Sequence, residues 1–139
     1  MSRKETVMMA PGIPSEDTGS ALPLVDPTAL RVLAEDVGPE SAASFARDFV
    51  RIWPRRRDNL STSLGRNDYD AAHDAALSLR TSSTMVGAAR LAGLACDLER
   101  RLRAEGTETA ARLLPQIVEC GERTVAVLTA DDGGSSPRV

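Results

Sequence analysis

From Leu30 to Leu128 the apolar residues of this chain recur at spacings of three and four, and no stretch sustains an alternation of apolar and polar residues. That period gives each segment one apolar stripe and leaves no half-buried strand to pair, so the chain is expected to fold as helices throughout. An aromatic content of 3% points the same way, because strands favour aromatic and β-branched residues.

Glycine, proline and capping residues divide the pattern. Asp26-Pro27 opens a first helix, with an Asp able to cap and a Pro suited to the first turn; its apolar face is Leu30, Leu33, Ala34 and Val37, and Gly38 closes it. Pro39-Glu40-Ser41 starts a longer helix with a stripe of Ala42, Phe45, Phe49, either Ile52 or Trp53, Leu60 and Leu64. Pro54 lies inside that stripe and predicts a kink, because the period resumes beyond it. A third helix begins at Asp68 and runs to about Val86. A fourth follows Gly87 with Leu91, Leu94, Leu98 and Leu102, ending at Gly106. A fifth begins at Thr107, with Glu108 in its first turn, and carries Ala110, Leu113 or Leu114, Ile117, Val118, Val125 and Leu128. Pro115 inside it predicts either a kink or a later start.

Four long amphipathic helices with short connections predict an all-α, antiparallel four-helix bundle, with the 26–37 helix as an extra N-terminal cap. Residues 1–23, which include Pro11, Gly12, Pro14, Gly19 and Pro23, show no period and are expected to be a disordered tail. The bundle spans 24–130, and 131–139 is expected to be a second tail.

Composition narrows the function. A net charge of −3 and a pI near 5.2 argue against nucleic-acid binding. No run of about 18 apolar residues is present to span a membrane, and no apolar segment follows Arg3, Lys4 and Glu5, so neither an anchor nor a secretory signal is expected. Cys96 and Cys120 are too few and too far apart for a disulfide scaffold or a zinc site and are expected to be small packing residues. His73 is the single histidine, which rules out any multi-histidine metal centre. No nucleotide loop or catalytic carboxylate pair is present; Gly133-Gly134 falls in the predicted tail. No metal or cofactor is expected, and the location is expected to be cytoplasmic.

The third helix carries the most information. At about 100° per residue, Ala72, Ala76, Leu79, Ser83 and Val86 fall in one narrow sector and form the core seam. Asp70, Leu77 and Thr81 lie roughly opposite, with His73, Arg80 and Thr84 along one flank of that outer face. Leu77 is anomalous: an apolar side chain predicted to face water, one turn after the only histidine.

The stretch from Asp68 through Ala76-Leu77-Ser78-Leu79-Arg80-Thr81-Ser82-Ser83, followed by Val86-Gly87-Ala88, resembles the histidine-containing phosphotransfer (HPt) family, whose signature reads approximately Ala-His-x-Leu-Lys-Gly-Ser with a later Leu-Gly-Ala. Ala76, Leu79, Ser82, Gly87 and Ala88 match, and Arg80 stands in for the lysine. The similarity continues through Leu91, Leu94, Leu98 and Glu99. Upstream, Leu24-Val25-Asp26, Phe45, Phe49 and Pro54-Arg55-Arg56-Arg57 resemble the first two helices of the family. The resemblance covers about 24–130 and implies the HPt-type bundle and a place in two-component phosphorelay signalling.

Two positions depart from the signature. The family's phosphate-accepting histidine maps onto Leu77, and the small glycine four residues later maps onto Thr81. A leucine has no lone pair with which to attack an aspartyl-phosphate. The resemblance therefore implies a pseudo-HPt protein that is inert at the usual site. It would dock the receiver domain of a response regulator or hybrid kinase through Leu77, Arg80, Thr81, His73 and Thr84, and would not act as an enzyme.

Other readings stand beside this one. His73, about 40° and about 6 Å from Leu77, is either a displaced phosphoacceptor or a solvated histidine beside Asp74. Arg80 meets a carboxylate or phosphate, or is a solvated charge. Arg55-Arg56-Arg57 with Arg51, like Arg100, Arg101 and Arg103, reads as a solvated basic face or a patch for acidic partners. A bundle that self-associates through its apolar outer face is the remaining alternative.

Overall fold

The computed structural model describes residues 22–135; the predicted tails, as far as they fall in 1–21 and 136–139, lie outside them. Helix α1 (Pro27–Val37) is capped as the sequence predicts, with Asp26 Oδ1 accepting from the Thr28 amide at 3.0 Å and the Gly38 amide, at φ 95°, donating to the Ala34 carbonyl at 2.8 Å. Helix α2 (Pro39–Gly65) runs unbroken through Pro54. Trp53, 2% exposed, takes the core position that the spacing leaves open between it and Ile52.

Helix α3 (Tyr69–Met85) starts at Asp68, whose Oδ1 accepts from the Ala71 amide at 3.2 Å. Its buried residues are Ala72, Ala76, Leu79 and Ser83, continued by Val86, which is the predicted seam. Helix α4 (Ala89–Glu105) buries Leu91, Leu94, Leu98 and Leu102, again as predicted, and adds two acidic residues, Asp97 and Glu99.

The fifth segment resolves in favour of a later start. A four-residue helix α5 (Thr107–Ala110) and a 3-10 turn (Ala111–Leu113) precede the long helix α6 (Leu114–Ser135). Pro115 is thus in the first turn of α6, where its missing N–H has no helical partner to lose. The helical backbone continues to Ser135, five residues past the boundary drawn from sequence. Gly133 and Gly134 weaken a helix by about 1 kcal/mol each but do not end it outright.

Helices α2, α3, α4 and α6 form the bundle. Helix α3 packs on α2 and α4, α6 closes the ring against both, and α1 lies across α2 and the end of α3. Two pairings show that α3 runs antiparallel to the α4–α5 segment, Arg80 with Glu99 and Asn67 with Thr107, and α2 is joined to α6 where Trp53 and Arg57 both reach Glu122. The core is one cluster running from Phe49 and Trp53 through Ala76, Leu91 and Leu98 to Ile117 and Leu128.

Candidate functional site: the outer face of α3

The core seam of α3 fixes what the helix shows to water. With small Ala72 and Ala76 drawn onto the bundle, the residues at i, i+4, i+8, i+12 and i+16 from Tyr69 wind along the outside: Tyr69, His73, Leu77, Thr81 and Met85. Successive members stand about 6 Å apart along the axis. Tyr69, Leu77 and Met85 are 40%, 38% and 45% exposed, three of the large apolar side chains that the described residues leave in solvent. The Tyr69 and His73 rings stack with centroids 6.0 Å apart and planes 14° from parallel. His73 is therefore half-buried on the flank and held against a neighbour.

The charged part of the face spans two helices. Arg80 Nε donates to Glu99 Oε2, and Arg103 Nη1 lies 4.0 Å from Glu99 Oε1. The Glu99 side chain is only 8% exposed, whereas that of Arg80 is 42% exposed. The Glu99 hydrogen bond, followed by the charge of the same carboxylate, raises the Arg80 pKa above its ordinary value. Of the alternatives open in sequence, Arg80 takes the carboxylate. The Thr84 hydroxyl donates back to the Arg80 carbonyl at 2.8 Å, and Thr81 is exposed one turn beyond Leu77.

His73, Leu77, Arg80, Thr81 and Thr84 thus share one face, with Leu77 near its middle. Sequence reasoning misses two parts of it. Tyr69 and Met85 extend the apolar ladder and were legible from the four-residue spacing about Leu77. Glu99 was not, because its role depends on the register of α4 against α3. Cys96 departs from its expected packing role: it lies exposed on α4, one position beyond the buried Ala95. Cys120 is buried as expected, and burial pushes its thiol up from the ordinary value.

The Arg55-Arg56-Arg57 run does not act as one patch. Arg57 Nη1 donates to Glu122 Oε2 at 2.8 Å and its Nε to Asp58 at 3.2 Å, while Arg56 faces a groove of about 480 Å³ between α2 and α3 that also holds Asp58, Asp68 and Asp74. Arg51 pairs with Asp48 at 3.2 Å. Among the described residues no cluster of three or more His, Cys, Asp or Glu side chains could hold a metal ion, and no helix is long and apolar enough to cross a membrane.

No protein-family model matches the chain, and no curated protein sequence does. Among solved structures, histidine-containing phosphotransfer protein B (HptB) from Pseudomonas aeruginosa PAO1 is similar, with a TM-score of 0.72 at 23% identity over 80% of this chain and 96% of that one. The chain therefore has the all-α HPt fold that its sequence predicts.

Proposed function

We propose that this HPt-fold bundle serves a two-component phosphorelay by docking the receiver domain of a response regulator or hybrid kinase, without carrying phosphate itself. The observation that carries the reading is the exposed Leu77, centred on the α3 face at the position where the HPt signature has its acceptor histidine. Tyr69 and Met85 enlarge the apolar surface around it, and one well-packed apolar anchor can dominate such a contact. With no lone pair at Leu77, the face offers an apolar anchor and no nucleophile at the signature position. By occupying receivers, the protein would compete with true phosphotransfer partners.

The test is incubation with phosphorylated receiver domains from its own organism, scoring binding and phosphate transfer separately. Binding without transfer, weakened by Leu77→Glu, is the expected outcome; no binding to any receiver refutes the proposal. His73 shares the face and is stacked on Tyr69, so transfer through it is the second reading. That reading requires an acid-labile, alkali-stable label on the protein that disappears in His73→Gln.

A further inference from the structure

The charge arrangement around Leu77 sets which state of a partner the face accepts, an inference that rests on the docking reading above. A receiver exposes its acceptor aspartate either free or phosphorylated. Phosphorylation adds negative charge and further acceptor oxygens that need donors once water is excluded. Opposite Leu77 they meet methyl groups, and the polar side chains one turn to either side, His73 and Thr81, bring no fixed cation.

The nearest cation on α3 is already engaged. Arg80 is one turn from Leu77, but its Nε is bound to Glu99, whose side chain is 8% exposed. A phosphoryl group that met Arg80 would share a charge already offset by Glu99, a buried carboxylate whose other cation, Arg103, stands at 4.0 Å. The Glu99 carboxylate is the buried member of the pair, so it depends on that charge more than the half-exposed Arg80 does. Arg100, on the same helix as Arg103, is paired with Asp97. The Thr84 hydroxyl is bound to the Arg80 carbonyl.

We infer that the Leu77 face discriminates between receiver states and selects the unphosphorylated one, because the charge of the cation that a phosphoryl group would need is already offset by the Glu99 carboxylate beneath it. Leu77 disfavours the added charge directly, and Glu99 keeps Arg80 from compensating it. A protein built this way withdraws resting receivers and releases them when they are phosphorylated.

The experiment measures the affinity of the full chain for each receiver domain of its own organism, free and as the beryllofluoride adduct that mimics aspartyl-phosphate. The expected result is binding about tenfold or more weaker to the adduct, equivalent to about 1.4 kcal/mol. Glu99→Gln, which removes the charge holding Arg80, narrows the ratio. Leu77→Lys, at an exposed position that does not test folding of the core, narrows or reverses it. Equal or tighter binding of the adduct by the natural chain overturns the inference and leaves the docking reading intact. Absence of binding in both states overturns both.

Discussion

Gly121→Ala puts the packing of the bundle to a quantitative test. Gly121 lies on α6 against the ring of Trp53, which is 2% exposed. A Cβ built on Gly121 would sit 2.0, 2.2 and 2.6 Å from Cη2, Cζ2 and Cζ3 of that ring. Carbon atoms rest about 3.5–4.0 Å apart, so the ring or the helix has to withdraw by about 1.5 Å. Overpacking a tight core costs about 1–3 kcal/mol and occasionally more, and this contact belongs at the upper end because an indole has no flexible tip to swing aside. Moving the ring also disturbs the bond from Trp53 Nε1 to Glu122 Oε2 at 3.0 Å. Against this, replacing a mid-helix glycine by alanine gains about 1 kcal/mol in propensity. The net expectation is a loss of about 2 kcal/mol. Urea unfolding followed by circular dichroism and by the fluorescence of the single tryptophan would read it as a lower midpoint with an unchanged slope. In a Trp53→Leu background the same substitution should become neutral or stabilising, a coupling of about 2–3 kcal/mol. A Gly121→Ala protein that is as stable as the natural chain, or more so, would refute the close approach of α6 to α2.

The Glu122 carboxyl is held below its usual range by the hydrogen bond from Trp53 and then by that from Arg57. A depressed folded pKa adds stability above the unfolded value of about 4.3 that is lost as pH falls through the folded one, so between pH 7 and pH 3 the natural chain should lose an increment that Glu122→Gln does not. Urea midpoints for both proteins at the two pH values give the comparison, and parallel losses would count against it. Ser83 is fully buried and its hydroxyl has no hydrogen-bond partner, so Ser83→Ala should raise stability by about 1 kcal/mol in the same assay; a loss of that size would mean the hydroxyl is satisfied. Leu77→His combined with Thr81→Gly restores both departures from the HPt signature on an exposed face and should yield an acid-labile, alkali-stable phosphate on incubation with phosphorylated receivers. A folded double variant that binds receivers and takes up no label would show that the face no longer aligns an acceptor.

The helices and the seam of α3 were legible because burial imposes a period, and the period survives in Ala72, Ala76, Leu79, Ser83 and Val86 without knowledge of any neighbour. Gly38, Gly87 and Gly106 marked the ends for a related reason, each having the positive φ that other residues resist. What escaped was whatever two helices decide together. Ile52 and Trp53 fit the stripe of α2 equally well, and it is Gly121 on α6 that makes room for the indole. Glu99 resembles a solvent-facing charge until α4 is set against α3 and Arg80 covers it. Cys96 departs from its expected packing role for a simpler reason: Ala95 stands four residues after Leu91 and three before Leu98, whereas Cys96 falls on the far side of that stripe. The centre of the candidate face was therefore readable, and its electrostatic partner was not.

The chain ahead of α1 ties the candidate face down from its far end. Asp26 donates its amide to the Gly87 carbonyl at 2.7 Å, the Pro23 carbonyl accepts from the Arg90 amide at 2.9 Å, and the Leu22 carbonyl accepts from Arg90 Nε at 2.8 Å. At the opposite end Thr107 bonds to Asn67 at 2.9 Å, and Arg80 joins Glu99 between them. The hairpin of α3 and α4 is thus fastened at the top, the middle and the bottom, and behaves as a single plate. A partner that meets Leu77 finds a surface already shaped, so association forfeits little backbone freedom and most of the contact appears as affinity. Cutting the chain after Leu24 would remove the two bonds to Arg90 and leave the Asp26, Arg80 and Thr107 links to hold the plate.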